Sequence, residues 1–90
     1  MVSEDIGGQT RRCLENIEAL LRAAGFELSD VVKTTVYMTD LKEFGPMNEI
    51  YAGFFQPPYP ARATVEVSAL PKGALVEIEA CALKPETKPA

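Results

Sequence analysis

The sequence contains no histidine, and only two of its 90 residues are cysteines. Without histidine, a His-containing zinc site, a Ser-His-Asp triad and an imidazole general base are all excluded. Cys13 and Cys81 lie far apart in the sequence and form no CxxC pair. We therefore expect a reduced, intracellular chain in which both thiols are small buried groups. No metal site is therefore predicted.

Positive charge is also scarce, since nine Lys and Arg residues against thirteen Asp and Glu residues leave a net charge of −4. Nucleic-acid-binding surfaces normally carry a basic stripe, so no nucleic-acid partner is expected. The apolar runs are far shorter than the roughly 20 residues of a membrane span, and no signal-peptide pattern opens the chain. We predict a cytoplasmic protein without membrane contact, whose chemistry comes from Arg, Glu, Asp, Lys, Tyr, Ser, Thr or backbone groups.

The short chain predicts a single domain over residues 1–84. A chain of this size buries only about 60–65% of the surface that its unfolded form exposes, so a partner subunit would help to stabilise it. Residues 85–90 are polar and proline-containing, which predicts a disordered tail.

Apolar residues recur every three or four positions from Ile6 to Ala24 and predict an amphipathic helix. Asp5 is the predicted N-cap, and Gly25 is the predicted C-terminal residue with positive φ. The β-branched stretch over residues 29–40 predicts a strand. A short turn after Asp40 and a second helix beginning at Pro46 follow.

Two alternating segments, about 62–69 and 75–83, predict strands joined by the turn LPKG as an antiparallel hairpin. The order helix-strand-helix-strand-strand predicts an α+β layer with two helices packed on one face of a sheet. The other face is expected to meet another subunit, because it mixes charged with apolar residues. Its predicted polar residues are Arg62, Thr64, Glu66, Glu77 and Glu79.

Arg62 opens a strand directly after a proline-rich turn, in the stretch PPYPARATVEV. Its guanidinium matches the geometry of a carboxylate. The predicted hairpin brings Arg62 and Glu79 to one face, about 5–8 Å apart. The pair is interpreted either as a site for a small carboxylate ligand or as an ordinary cross-strand ion pair, and the pattern leaves both open. Tyr59, between two prolines, is expected to pack against the turn.

Four segments together resemble one family: QTRRCLENIEALLRAAG, VVKTTVYMTDL, MNEIYAGFF and PPYPARATVEVSALPKGALVEIEACAL. This family is the reactive intermediate deaminases of the RidA/YjgF type. The resemblance implies a chorismate-mutase-like, ferredoxin-like α+β fold and a homotrimer with clefts between subunits. It also implies hydrolysis of enamines and imines, such as 2-aminoacrylate and 2-iminobutyrate, to 2-keto acids and ammonia without a cofactor.

The resemblance further implies roles for four residues. Arg62 matches the arginine that binds the substrate carboxylate, and Glu79 matches the acid that positions water or moves its proton. Asn48 matches a residue near the cleft, and Thr64 stands where many members have cysteine.

Family members carry further strands before this point that supply a tyrosine, a serine and a backbone amide to the cleft, and MVSEDIGG does not resemble them. The chain is therefore expected to be truncated relative to the family. This departure favours, as an alternative, a non-catalytic trimer that binds 2-keto acids or has a regulatory role. A ribonuclease or translation inhibitor is disfavoured by the acidic balance and the missing histidine.

Overall fold

The protein is represented by a computed structural model that describes residues 5–84. Its helices and strands are α1 (Ile6–Ala23), β1 (Val31–Met38), α2 (Phe44–Ala52), β2 (Ala61–Glu66) and β3 (Val76–Ala82). Short 3₁₀ turns at Leu28–Asp30, Leu41–Glu43 and Pro71–Gly73 precede β1, α2 and β3. The predicted α+β fold, with two helices packed on a three-stranded sheet, is confirmed. The predicted tail over residues 85–90 lies outside the described residues.

Helix α1 follows the predicted amphipathic pattern at both ends. The Asp5 carboxylate accepts a hydrogen bond from the Gly8 amide at 2.9 Å, as an N-cap does. After the last helical turn, Gly25 has a φ of +86°, the left-handed conformation expected of a residue that ends a helix. Leu14 is fully buried, whereas Leu20 on the predicted apolar stripe is 71% exposed. The helix is therefore buried mainly in its N-terminal half.

The sheet has the order β2-β1-β3, with β1 in the centre. Strand β2 runs parallel to β1, and α2 supplies the crossover that a parallel connection requires. Strand β3 runs antiparallel to β1. The end of β2 is held by the Glu66 carboxylate, which accepts a hydrogen bond from the Leu41 amide at 2.8 Å.

The predicted hairpin of β2 and β3 is wrong, because β1 lies between them. Residues 67–75 carry the chain across the end of β1 instead of turning it directly back. At that end Val67 donates to the Met38 carbonyl at 2.8 Å, and Thr39 donates to the Leu75 carbonyl at 3.2 Å. A short connection between β2 and β3 therefore does not show that they pair with each other. Each can form hydrogen bonds with β1 instead.

The register defines two faces of the sheet, because bridge partners share a face and side chains alternate along each strand. On the helix face, Thr34 of β1 lies beside Arg62 of β2 and Ala80 of β3. On the opposite side, called here the outer face, Thr35 lies beside Ala63 and Glu79. The outer face consists of Lys33, Thr35, Tyr37, Ala61, Ala63, Val65, Glu77, Glu79 and Cys81.

The predicted polar face is therefore partly wrong. Arg62, Thr64 and Glu66 alternate as predicted, but they belong to the helix face. The predicted alternation of β1 also fails at its start, where a register shift between Val31 and Lys33 leaves Val31 buried and Val32 46% exposed.

The core lies between the helices and the helix face of the sheet. The largest fully buried apolar side chains come from α1, β1 and α2, namely Leu14, Val36, Met38 and Met47. The prediction of two buried thiols holds only in part, because Cys13 is half-buried and Cys81 is exposed on the outer face. Burial raises the pKa of the Cys13 thiol. No helix within residues 5–84 has the length and apolar character needed to cross a membrane.

Candidate functional site around Arg62

Arg62 lies on an edge strand, and its side chain reaches over α2. The guanidinium carbon lies 5.2 Å from the centroid of the Phe44 ring and 4.7 Å from that of the Tyr51 ring. Both distances are those of cation–π contacts. One guanidinium nitrogen also donates to the Asn48 amide oxygen at 2.5 Å. The cation is thus held by two aromatic faces and one neutral amide.

Helix α2 presents these three partners because of their spacing. Phe44, Asn48 and Tyr51 are separated by four and three residues, which places them on one side of a helix. The Tyr51 ring is fixed in turn, since its hydroxyl shares a buried hydrogen bond of 2.7 Å with the Thr34 hydroxyl on β1. The family resemblance implied that Asn48 lies near the cleft, but it did not indicate the two rings. Their helical spacing before Arg62 was the available signal.

Arg62 has no ion-pair partner among the described residues. Within residues 5–84 the recorded salt bridges join Arg22 to Glu18 and Lys84 to Asp30. The interpretation of Arg62 as half of a cross-strand ion pair is therefore wrong. An arginine has five N–H donors, so its bond to Asn48 leaves donors that a carboxylate can accept from.

A hollow of about 350 Å³ adjoins the guanidinium. It is lined by Asn48, Tyr51, Ala52, Phe55, Tyr59, Pro60 and Arg62. Tyr59 is 67% exposed at this hollow, so at most a minor part of its side chain packs against the turn. The volume falls at the lower end of the range for small-molecule sites, roughly 300–1,000 Å³.

Thr64 lies on the same face of β2 as Arg62, about 7 Å farther along the strand. It is half-buried beside Val36 and does not line the hollow. Of the predicted site residues, the structure therefore brings Arg62 and Asn48 into contact and leaves Thr64 outside that contact.

Glu79 lies on the outer face, on the opposite side of the sheet from Arg62. The expectation that the two are neighbours on one face of a hairpin is wrong, because it rested on pairing β2 with β3. The Glu79 carboxylate accepts a hydrogen bond of 3.0 Å from the Tyr37 hydroxyl. This hydrogen bond is the first cause of a raised Tyr37 pKa, followed by desolvation and by the charges of Glu79 and Glu77.

Glu77 is a second carboxylate on the outer face, directly beside Tyr37. Unlike Glu79, it makes no hydrogen bond or ion pair within the part of the chain that the structure describes. In the same part of the chain, no three Cys, Asp or Glu side chains converge as ligands for a metal ion.

Comparison with known proteins identifies the family. The family model described as Endoribonuclease L-PSP matches residues 1–84. The chain belongs to this family, the RidA/YjgF family. The resemblance noted in the sequence is thereby confirmed.

Two curated relatives illustrate the range of the RidA/YjgF family. A RutC family protein of Pyrococcus horikoshii is 56% identical over 84 residues, which cover 93% of this chain and 67% of that protein. The 2-iminobutanoate/2-iminopropanoate deaminase of Salmonella typhimurium is 45% identical over 86 residues, covering 92% of this chain and 67% of the enzyme. The chain spans 57–67% of the length of the curated relatives that it matches.

The fold also matches a solved structure of the family. The crystal structure of Escherichia coli TdcF with bound serine superposes with a TM-score of 0.89 at 42% identity, covering 94% of this chain and 69% of TdcF. The helices and strands described above therefore form the RidA/YjgF fold.

Proposed function

We propose that the protein hydrolyses 2-imino acids and their enamine tautomers, such as 2-iminobutanoate and 2-aminoacrylate, to 2-keto acids and ammonia. The observation that carries this proposal is the Arg62 guanidinium, which pairs with no acid in residues 5–84 and adjoins a hollow of about 350 Å³. A relative at 45% identity is named for this reaction.

In this proposal Arg62 binds the substrate carboxylate with two parallel N–H donors, and Asn48 holds the guanidinium in place. The bound carboxylate then orients the neighbouring C=N carbon for attack, which replaces a bimolecular encounter with a fixed geometry. Water adds to this carbon and transfers one proton to a carboxylate, while the imine nitrogen takes up one proton to give a carbinolamine. The carbinolamine nitrogen then accepts a second proton, the C–N bond breaks and ammonia leaves, and the hydroxyl group loses its proton to become the keto oxygen.

Glu79 is the proposed proton acceptor, and Glu77 is the neighbouring candidate because its carboxylate has no hydrogen-bond partner in residues 5–84. Both lie on the outer face, whereas Arg62 lies on the helix face. A site that contains Arg62 and either glutamate therefore takes the two groups from different copies of the chain. This requirement supports the proposed homotrimer with its site between subunits.

The proposal is tested by generating 2-iminobutanoate in situ with an amino acid oxidase and following 2-ketobutanoate release above the spontaneous rate. Arg62→Ala is expected to lower kcat/KM by roughly a hundredfold or more, because a paired charged hydrogen bond is lost. Arg22→Ala is the matched control, since Arg22 is an exposed arginine paired with Glu18 on α1. Glu77→Gln and Glu79→Gln, assayed in parallel, identify the proton acceptor.

Two results contradict the proposal: a parent protein that leaves the imine decay unchanged, or an Arg62→Ala variant as active as Arg22→Ala. Full activity in both glutamate variants contradicts the assigned proton transfer but leaves the role of Arg62 intact.

A second candidate is a module that binds 2-keto acids without turnover. The placement of the hollow favours it, because one chain forms Arg62, Asn48 and the hollow, whereas the glutamates lie on the other face. Isothermal titration with 2-ketobutanoate distinguishes this function from hydrolysis. Binding that requires Arg62, in a protein that does not hydrolyse imines, supports a binding module. The absence of binding contradicts it.

A further inference from the structure

The geometry points to the hollow beside Arg62 as a subsite for a large apolar side chain, with Tyr59 as the residue that selects it. The preferred ligands are 2-imino or 2-keto acids with aromatic or branched side chains rather than the three- and four-carbon acids. This inference rests on the proposed function for its assignment of the Arg62 end to a carboxylate.

The hollow has a polar end and an apolar end. Arg62 and Asn48 are bonded to each other and supply its charged and amide groups. From there the walls become aromatic, because the guanidinium lies 4.7 Å from the Tyr51 ring and that ring lies 4.9 Å from the Phe55 ring. A ligand with a carboxylate at one end and an apolar group at the other matches this order.

The size of the hollow separates small from large ligands. Its volume of about 350 Å³ lies at the lower end of the range for small-molecule sites, roughly 300–1,000 Å³. A three-carbon imino acid bound at Arg62 leaves the aromatic end in contact with water. A phenyl or isobutyl group extends into that end and removes apolar surface from water.

Among the aromatic residues that line the hollow, Tyr59 has the most exposed surface for such a ligand to bury. Its side chain is 67% exposed, whereas Tyr51 and Phe55 are already buried in the fold. Pro58 and Pro60 flank it and restrict its backbone, so little backbone freedom is lost when a ligand contacts the ring. An aromatic ring placed in this way contributes contact area to a ligand at a small entropic penalty.

The test compares imines made in situ from phenylalanine, leucine and alanine. The parent protein is expected to show a higher kcat/KM for the phenylalanine and leucine imines than for the alanine imine. Tyr59→Ala is expected to reduce the ratio of phenylalanine to alanine kcat/KM about tenfold, the effect of losing one aromatic contact and its buried area. Tyr59→Phe is expected to keep the parental ratio, since the ring remains.

Leu20→Ala is the matched control, because Leu20 on α1 is a similarly exposed apolar side chain that does not line the hollow. Its ratio is expected to equal that of the parent. The inference is overturned if the parent prefers the alanine imine, or if Tyr59→Ala lowers kcat/KM for all three imines by the same factor.

Failure of the proposed function gives a different result, namely no hydrolysis of any imine. Titration with phenylpyruvate and pyruvate then decides the inference without turnover. Phenylpyruvate binding that is tighter than pyruvate binding, lost in Arg62→Ala and weakened in Tyr59→Ala, supports the subsite. Equal binding of the two acids, or none, overturns it.

Discussion

The groups that contact Arg62 decide whether it is interpreted as part of a structural ion pair or as a ligand-binding residue. An exposed ion pair contributes only about 0–1 kcal/mol to stability, and it occupies donors that a ligand needs. Here Phe44, Tyr51 and Asn48 hold the guanidinium instead. Aromatic faces orient a guanidinium without accepting its in-plane N–H groups. The guanidinium of Arg62 is therefore held against α2, and some of its N–H groups remain available to a carboxylate.

Tyr37 provides a pH-dependent test of the outer face. Its hydroxyl donates to Glu79, and this bond raises the Tyr37 pKa above its ordinary value of 10.0. The folded chain therefore holds this proton more tightly than the unfolded chain. The stabilisation is present below about pH 10 and is lost as the pH rises through the raised pKa.

A difference titration of tyrosinate absorbance between the parent and Tyr37→Phe isolates this hydroxyl. Its midpoint is expected to lie above pH 10 and to fall towards 10 in Glu79→Gln, which removes the charged acceptor. A midpoint that Glu79→Gln does not move contradicts the hydrogen bond.

At the scale of single elements, the C-terminal end of α1 depends on the backbone conformation of Gly25. Gly25 adopts a φ of +86°, and a Cβ added there meets no atom within 4 Å. The penalty for a side chain at this position is therefore conformational rather than steric. Gly53, at the end of α2, has a φ of −74°, which any residue adopts.

Gly25→Ala is accordingly expected to destabilise the fold by about 1 kcal/mol, because alanine is strained in the left-handed region. For a domain of this size, that corresponds to a decrease in Tm of roughly 4–8 °C. Gly53→Ala is the control and is expected to change stability by less than about 0.5 kcal/mol. Thermal and urea denaturation measure both, and equal effects of the two substitutions contradict the argument.

In the molecule as a whole, the two faces of the sheet have different exposure. The helices cover the central strand on the helix face, where Thr34, Val36 and Met38 are buried. Val65, Glu77, Glu79 and Cys81 on the outer face are exposed. A mixed surface of this kind suits contact with another subunit. Because the sheet separates Arg62 from both glutamates, the proposed hydrolysis requires association of at least two copies.

Mixing two inactive variants tests this condition. We expect coexpression of Arg62→Ala with Glu77→Gln or Glu79→Gln, whichever is inactive alone, to restore activity. About one quarter of the parental activity is expected, because a randomly mixed assembly takes an intact arginine from one copy and an intact glutamate from another. Light scattering of the same sample measures the assembly mass. An associated but inactive mixture contradicts a site shared between copies.

Short-range sequence patterns by themselves predicted the helices and strands, their caps and the alternation of side chains along β2. The N-cap at Asp5, the positive φ of Gly25 and the alternation that puts Arg62 and Thr64 on one face all depend on residues a few positions apart. Helix and strand periodicities express such local geometry directly. Four sequence segments, including the one around Arg62, also sufficed to indicate the family.

Tertiary packing decided three features: the order of the strands, the face of the sheet on which Arg62 lies, and the hollow beside it. The alternation of β2 and β3 is compatible with a hairpin and equally with two strands flanking β1, and only the competition of all three for hydrogen-bond partners selects the second. That choice separates Arg62 from Glu79 and sets it against Phe44 and Tyr51. Contacts between distant segments depend on the whole chain, so no local pattern contains them.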